Sequence, residues 1–538
     1  MAIRDAREDL EGLHALHFPV AFPEVFLRSK PGFDAIVGNP PWEKIRVEHH
    51  EFWARHFPGI RGLKGSGERS DAIRKLEENR PDLLRLEEAE REQSEALRDA
   101  VRTLPGMNTG HPDLFRAFMT RYHQLLNADW GRYGVVLPGD AFKVRGNGPV
   151  RLELDAHAKR VDIQMLTNRG KWVFSDVHAQ KLIALVCVEF GQSASGECTY
   201  LLRPEHHHLA DFRAREAMDY VERSGTWLAS FSPGLVQPIL PTATAEESIR
   251  ILDIFLRSPR LRAHPRLKVR RVYADVETSR KYKAYYRVDE GERDLWPVYG
   301  GDSFDLWRPD TGTYFAMARE SEMIHLVQQK RESPRQGTPY ADTSGAWRTN
   351  PSSLPCLHPR IAYRDITNRT NRRTFVVALI PPRRVLTQSA PWVLWTSNNN
   401  DLANEAFLLG VMSSIPADWW MRRFVEGHVD QEAFSAFPVP DIELDEGIGQ
   451  RVVELAGRLA ATDDRFQEWA EAVGVDCGPV GDDEREAMIY ELDAVVAHLY
   501  GLKQEHLKHI FETFHEGWDY EPRLRGVLKR FRAWNQKA

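Results

Sequence analysis

Residues Phe33-Asp34-Ala35-Ile36-Val37-Gly38-Asn39-Pro40-Pro41-Trp42 decide how the chain is read. The apolar run from Phe33 to Val37 fits a buried strand. Gly38 ends it, and Pro40 and Pro41 then fix φ and forbid further ladder bonding. Asn39 precedes a proline, which pushes its backbone toward extended geometry and holds its side chain at the strand's end. Ligand groups in α/β sheets gather at the carboxyl ends of strands. A rigid turn there offers three things: the Asn39 side-chain carbonyl, the Pro40 main-chain carbonyl and the flat face of Trp42. Two acceptors beside an aromatic plane suit a flat ring with an exocyclic amino group, which donates two hydrogen bonds while the ring stacks.

The alternative is a proline-rich turn that merely closes a strand. By average composition such a tetrapeptide arises by chance well under roughly once in a hundred chains of this length. Asn-Pro-Pro followed by an aromatic, after a hydrophobic strand, resembles the catalytic motif of amino-group DNA methyltransferases, chiefly those modifying adenine N6. The resemblance implies catalytic roles for Asn39, Pro40, Pro41 and Trp42. It also implies that the target base is flipped out of the duplex, because its amino group is unreachable in the stack. Asparagine rather than serine at the first position implies adenine over cytosine N4.

The 538 residues allow about three or four domains, or fewer large ones. No apolar run approaches the roughly 18–20 residues of a membrane span, and no signal-peptide core is present, so no membrane is expected and a cytoplasmic location is. Cys187, Cys198, Cys356 and Cys477 are scattered without a CxxC pair, and Glu205-His206-His207-His208 cannot turn three adjacent rings on one ion, so no metal site is expected. A net charge of −6 does not suggest indiscriminate nucleic-acid binding, so DNA contact has to come from local basic patches.

Upstream, Leu16 to Phe26 contains Phe-Pro-Glu-Val-Phe, similar to a phrase that leads into the Asn-Pro-Pro strand of large fused methyltransferases. In that family the glycine-containing loop that binds S-adenosylmethionine precedes the catalytic motif. Gly62, Gly65 and Gly67 follow no strand and read as a flexible loop, so the cofactor site is expected to be incomplete in this chain. Residues 62–104, dense in Glu, Arg and Leu, read as a helical insertion. Pro112-Asp113 opens a helix whose apolar face runs from Leu114 to Leu126. Asp113, Leu114 and Phe115 resemble the family element that borders the cofactor's adenine pocket. Arg132 to Phe142 reads as a buried strand ending in a turn, and Val161 to Leu166 and Leu182 to Val188 read as strands. The loop Trp172 to His178 matches the family position of an aromatic that packs on the flipped base opposite Trp42, which points to Phe174, with Trp172 as the alternative.

From residue 246 basic side chains crowd among tyrosines. Arg270, Arg271 and Lys281, then Arg364, Arg369, Arg372 and Arg373, are the candidates for phosphate contact and base-edge reading, with a solvated surface as the alternative for any one of them. Leu295 to Gly301, Arg360 to Ile366 and Phe407 to Ser414 are similar to the target-recognition regions of fused restriction–modification methyltransferases and related phage-defence methylases.

The expected fold is α/β: a partial Rossmann-like methyltransferase sheet over 1–200, a connector over 201–245, a mixed α/β recognition domain over 246–440 and a helical segment over 441–538. The resemblance implies a site-specific, base-flipping DNA adenine-N6 methyltransferase that uses S-adenosylmethionine, acts on double-stranded DNA and serves a restriction–modification or phage-defence system. The alternative is a DNA-recognition subunit or truncated methylase, inactive until a second subunit or an upstream region completes the cofactor site.

Overall fold

A six-stranded mixed sheet carries the Asn-Pro-Pro-Trp turn. In this computed structural model the described residues are 16–535, leaving aside 64, 180, 194, 216–218, 288–293, 333–339, 341–342 and 396–401. The chain is mixed α/β and divides into two units, Met1–Gln237 and Pro238–Ala538.

In the first unit β1 (Ala35–Gly38), β2 (Arg132–Pro138), β3 (Ala158–Thr167), β4 (Leu182–Phe190), β5 (Thr199–Leu202) and β6 (Val221–Ser224) stand in the order β1-β2-β4-β3-β5-β6. β1 runs parallel to β2, whereas β4 is antiparallel to both of its neighbours. Pro138 therefore faces Ile183 and Thr167 faces Leu182, so the ends of β1, β2 and β3 and the start of β4 share one edge of the sheet. Burial alternates along the central strands, with Val135, Leu137, Val161, Ile163, Val186 and Val188 on the buried face and Asp162, Gln164 and Cys187 on the more open one.

β1 itself is not the buried strand that its apolar run suggests. It closes the sheet on one side, and Val37 is 86 % exposed. Among the described residues no strand lies beyond it. Its entry is nevertheless tightly held. Phe33 lies edge-on to Phe18, Phe22 and Phe26 at 6.0, 5.4 and 5.4 Å, so the preceding Phe-Pro-rich phrase forms the wall under the strand's start. Phe33 N–H donates to Leu125 O, and Asn127 N–H donates to Phe33 O.

The stretch read as a connector over 201–245 begins inside β5 and contains β6, so the first unit runs on to Gln237. β6, Val221-Glu222-Arg223-Ser224, is a short, polar edge strand with too little alternation to announce itself. Between β1 and β2 lie helices His49–His56, Ser66–Asn79 and Pro81–Arg102, within and beside the expected insertion. Buried Glu87 ties the first of these to the last: its carboxylate takes the Trp53 indole N–H at 3.0 Å and His49 Nδ1 at 2.7 Å, besides Arg91 of its own helix at 3.0 Å. His49, Glu77 and Glu87 draw close enough to suit a cation, but the Arg91 guanidinium already supplies that charge to Glu87.

The second unit holds two four-stranded sheets. One contains β8 (Tyr286–Arg287), β9 (Leu295–Tyr299), β10 (Ala316–Arg319) and β13 (Val385–Leu386). The other contains β7 (Val269–Tyr273), β11 (Arg360–Tyr363), β12 (Val377–Ile380) and β14 (Trp392–Trp395). Fully buried Asp275 joins them: its carboxylate accepts from Arg360 at 2.5 and 3.1 Å, from the Trp392 indole at 3.1 Å and from the Leu386 amide at 2.9 Å. The helices after residue 441 pack on this unit rather than standing apart: Ile415 N–H donates to Asp493, and the Trp419 indole to Thr513. Among the described residues no helix is long and apolar enough to cross a membrane.

Gly32 sits immediately before the strand entry with φ +107°, and a Cβ there would lie 2.5 Å from the backbone of Leu126 and Asn127. Both the left-handed backbone and the close approach exclude a side chain. Gly32→Ala is expected to cost at least about 1–3 kcal/mol of stability, read as a fall in the unfolding midpoint; an unchanged midpoint would show that this contact does not anchor β1.

Candidate active site and nucleic-acid interface

The shared edge of the first sheet gathers residues that are far apart in sequence. Asn39 follows β1 directly and is exposed, and no hydrogen bond ties its side chain to the described residues. Pro40 is buried beside it and fixes the turn from below. Trp42 folds back across β2: its indole N–H donates to Val136 O at 3.3 Å. Its ring meets Phe174 edge to face, with centroids 5.8 Å apart and an interplanar angle of 87°. The Trp42 ring of this pair stands three residues beyond Asn39 along the turn.

Phe174 reaches Trp42 from the loop between β3 and β4, and the loop's shape comes from one side chain. Asn168, fully buried at the end of β3, accepts from the Val173 and Phe174 amides at 3.1 Å each. Its Nδ2 donates to Phe174 O at 2.9 Å and to Val177 O at 3.0 Å. A single amide thus satisfies four main-chain groups that a tight loop would otherwise leave unpaired. Trp172, the alternative aromatic, is turned into the loop instead: its indole N–H donates to Thr167 O at 2.9 Å.

A second side of the site comes from the segment before helix Leu114–Leu125. Leu114 N–H donates to Glu43 O at 3.0 Å, and the main chains of Lys44 and Asp113 pair as an isolated antiparallel β-bridge, so the chain just after Trp42 is laced to the helix start. Asp113 caps no amide with its side chain, and its Oδ1 is buried without a hydrogen-bond partner. Burial pushes its carboxyl above the usual range, against the pull of Lys44, Arg116 and His111. This half-buried carboxyl beside the Asn39 turn thus keeps an oxygen that no donor of the fold satisfies. Leu114 is partly exposed beside it, whereas Phe115 is buried in the helix's packed face and serves the core. At the end of β2, Asp140 pairs with Lys181 at 2.6 Å, closing the floor between β2 and β4.

Comparison with solved structures matches the chain to restriction–modification enzymes at low identity and low TM-score. Among solved structures it is similar to the Type IIL restriction-modification enzyme MmeI in complex with DNA, at 13 % identity and a TM-score of 0.36, over 79 % of this chain and 52 % of that one. It is also similar to a nuclease-deletion mutant of the Type ISP restriction-modification enzyme LlaGI in complex with a DNA substrate mimic, at 12 % identity and a TM-score of 0.36, over 79 % of this chain and 41 % of that one. The type IIG restriction endonuclease BpuSI follows at 11 % identity and a TM-score of 0.26, over 74 % and 50 %. The chain thus spans about half the length of these enzymes, or less. No family model matches it, and no curated protein does.

In the second unit the basic candidates separate by burial. Arg373 lies within the fold, its Nε 2.8 Å from Asp418 and its NH2 donating to Ser413 O at 2.6 Å. Arg364 spends its guanidinium on Gly301 O and Phe304 O at 2.7 and 3.1 Å. Both therefore serve the fold, correcting their place among the phosphate-contact candidates. Arg372 is exposed, Arg369 half-buried and Arg271 half-buried on β7. The side chains of Arg270 and Lys281 lie outside the described residues. The loop that carries Arg369 and Arg372 is set by a residue that charge counting does not single out. Buried Arg422 donates to the carbonyls of Arg369, Asn371 and Arg372 at 2.8, 2.8 and 2.9 Å, so the main chain faces inward.

Asn168→Ala would leave four buried main-chain groups unpaired, at a cost of roughly 2–4 kcal/mol. The expected outcome is a lower unfolding midpoint together with faster tryptic cleavage after Arg169 and Lys171; wild-type cleavage kinetics would show that the loop holds its shape by other means.

Proposed function

We propose that the chain carries the target-base site of a DNA adenine-N6 methyltransferase within a restriction–modification or phage-defence system. The observation that carries this proposal is the convergence of an exposed Asn39, a fixed Pro40 and the Trp42–Phe174 pair at one sheet edge. A base turned out of the duplex would stack on Trp42, with Phe174 against it, and stacking of this kind contributes roughly 1–3 kcal/mol per base. The Asn39 side-chain carbonyl and the Pro40 carbonyl would accept the two amino hydrogens. The amino lone pair is delocalised into the purine and is a poor nucleophile. Acceptors drawing on both N–H bonds favour a more tetrahedral nitrogen, whose lone pair is free to attack, and the surplus proton then leaves to water.

S-adenosylmethionine, when bound, supplies the electrophilic methyl carbon. The residues present fit one wall of a site for it: the orphaned Asp113 carboxyl can accept from ligand donors, and Leu114 offers an apolar contact. No glycine-rich turn follows a strand on the Asn39 side of the sheet among the described residues. The open edge of β1, with Ala35 and Val37 exposed, is where a further strand would add its ladder. This edge supports a cofactor site completed by a second subunit or an upstream region. Double-stranded DNA is the proposed partner, with Arg271, Arg369 and Arg372 as the contacts that the described residues leave on the surface or partly so.

Asn39→Ala is expected to abolish methyl transfer to cognate DNA in a preparation that binds the cofactor, while leaving DNA affinity within about twofold of wild type, because phosphate contacts lie elsewhere. Tritiated-methyl incorporation alongside gel-shift titration checks this, and substantial residual transfer would overturn the catalytic assignment.

Calorimetric titration of the isolated chain with S-adenosylmethionine is expected to give binding far weaker than micromolar, since half a pocket leaves much of a ligand in water. Micromolar affinity without a partner would make the chain an autonomous methyltransferase.

A further inference from the structure

The loop that brings Phe174 to Trp42 holds one lysine in a conformation that lysine does not favour. Lys171 has φ +60°, directly after Gly170 at φ +69°. Glycine adopts such a backbone freely, whereas a Cβ there crowds the following carbonyl oxygen. The fold imposes the conformation from both sides. Lys171 N–H donates to Asn168 O at 2.8 Å, Asn168 Oδ1 accepts from the Val173 amide, and the Trp172 indole N–H donates to Thr167 O. Strain of this kind persists only where the surroundings over-determine it, and it gathers at functional sites.

The side chain gains nothing from the fold in return. Lys171 is exposed and makes no hydrogen bond or ion pair with the described residues, although the same loop carries an exposed acid, Asp176. Lys181 shows the contrast, since its ammonium lies 2.6 Å from Asp140. From Arg169 to Lys181 the basic side chains Arg169, Lys171 and Lys181 outnumber the single acid Asp176, in a chain whose net charge is −6.

Lys171 precedes Phe174 by three residues, so their Cα atoms stand within roughly 10 Å of each other. Extrusion turns a nucleotide about its own backbone, which leaves the flanking phosphates at the mouth of the pocket that takes the base. A cation at that mouth neutralises phosphate charge and positions the strand without reading its sequence.

We propose that Lys171 is a positioning residue that grips a phosphate of the strand from which the target base is extruded, beside the Trp42–Phe174 pair. This rests on the base-flipping reading of that pair. The left-handed turn sets the direction in which the side chain leaves the loop, and its flexible stem carries the ammonium to the phosphate.

Anisotropy titration of the full chain tests this with a labelled duplex of about 25 base pairs, in which one adenine stands opposite an abasic site so that extrusion costs least. The fully paired duplex of the same sequence is the control. Lys171→Gly is expected to weaken binding of the unpaired-adenine duplex roughly fivefold to tenfold at about 0.1 M salt, and to lower the slope of log affinity against log salt by about one. A smaller loss is expected on the control, and Lys171→Arg is expected to keep both affinity and slope. Because glycine relieves the left-handed turn, the unfolding midpoint of Lys171→Gly is expected to stay or rise. A wild-type salt slope in the glycine variant, an equal loss on both duplexes, or a lowered midpoint would overturn the assignment and leave the DNA reading in place. Failure of the wild-type chain to bind either duplex would overturn both.

Discussion

Four register pairs, Ala35 to Gly38 against Arg132 to Val135, join the Asn-Pro-Pro-Trp turn to the body of the sheet. Everything proposed for the site depends on this short parallel ladder. Among the described residues nothing pairs with its outer side, so its position rests on what lies before and after it. Before it come Gly32, pressed against Leu126 and Asn127, and the ring cluster around Phe33. After it come buried Pro40 and the Trp42 indole, which reaches over to Val136 on β2. The turn is thus clamped from both ends, while no hydrogen bond to the described residues ties the amide between the clamps.

The second unit uses buried carboxylates where the first uses close backbone contact. Asp275 gathers β11, β13 and β14, and Asp418 gathers Arg373, Arg422 and the Thr374 amide. Buried ion pairs are weak sources of net stability, but removing one partner strands a charge in the interior. Their effect here is to define register. Each carboxylate accepts from segments distant in sequence, and only one arrangement satisfies all of its donors.

What was legible in the sequence was local. Pro40, Pro41 and the aromatic at 42 dictate a rigid turn wherever they stand, and the central strands at β3 and β4 are apolar enough to be read alone. The edge position of β1 was not legible, because an apolar run says nothing about whether a neighbour strand lies beyond it. β5 and β6 escaped for the converse reason: four residues each, with Glu222 and Arg223 exposed or nearly so, leave no period to detect. Arg372 and Arg373 are adjacent and chemically identical, yet one faces water and the other faces Asp418. That distinction resides in a long-range partner and not in composition. Asn168 gave no signal either, since an asparagine at a strand end is ordinary until its four hydrogen bonds are seen.

Asn168 has a consequence for how such a loop can change over generations. All four of its bonds go to the main chain, so this one amide holds much of the path from Arg169 to Val177, with the Trp172 indole bond to Thr167 O as a further tie. Substitutions at positions other than Trp172 can alter what the loop displays without dismantling the frame that displays it. The loop is therefore an exchangeable cassette, in which drift in the displayed surface carries little penalty in folding while drift at the single buried amide carries most of it.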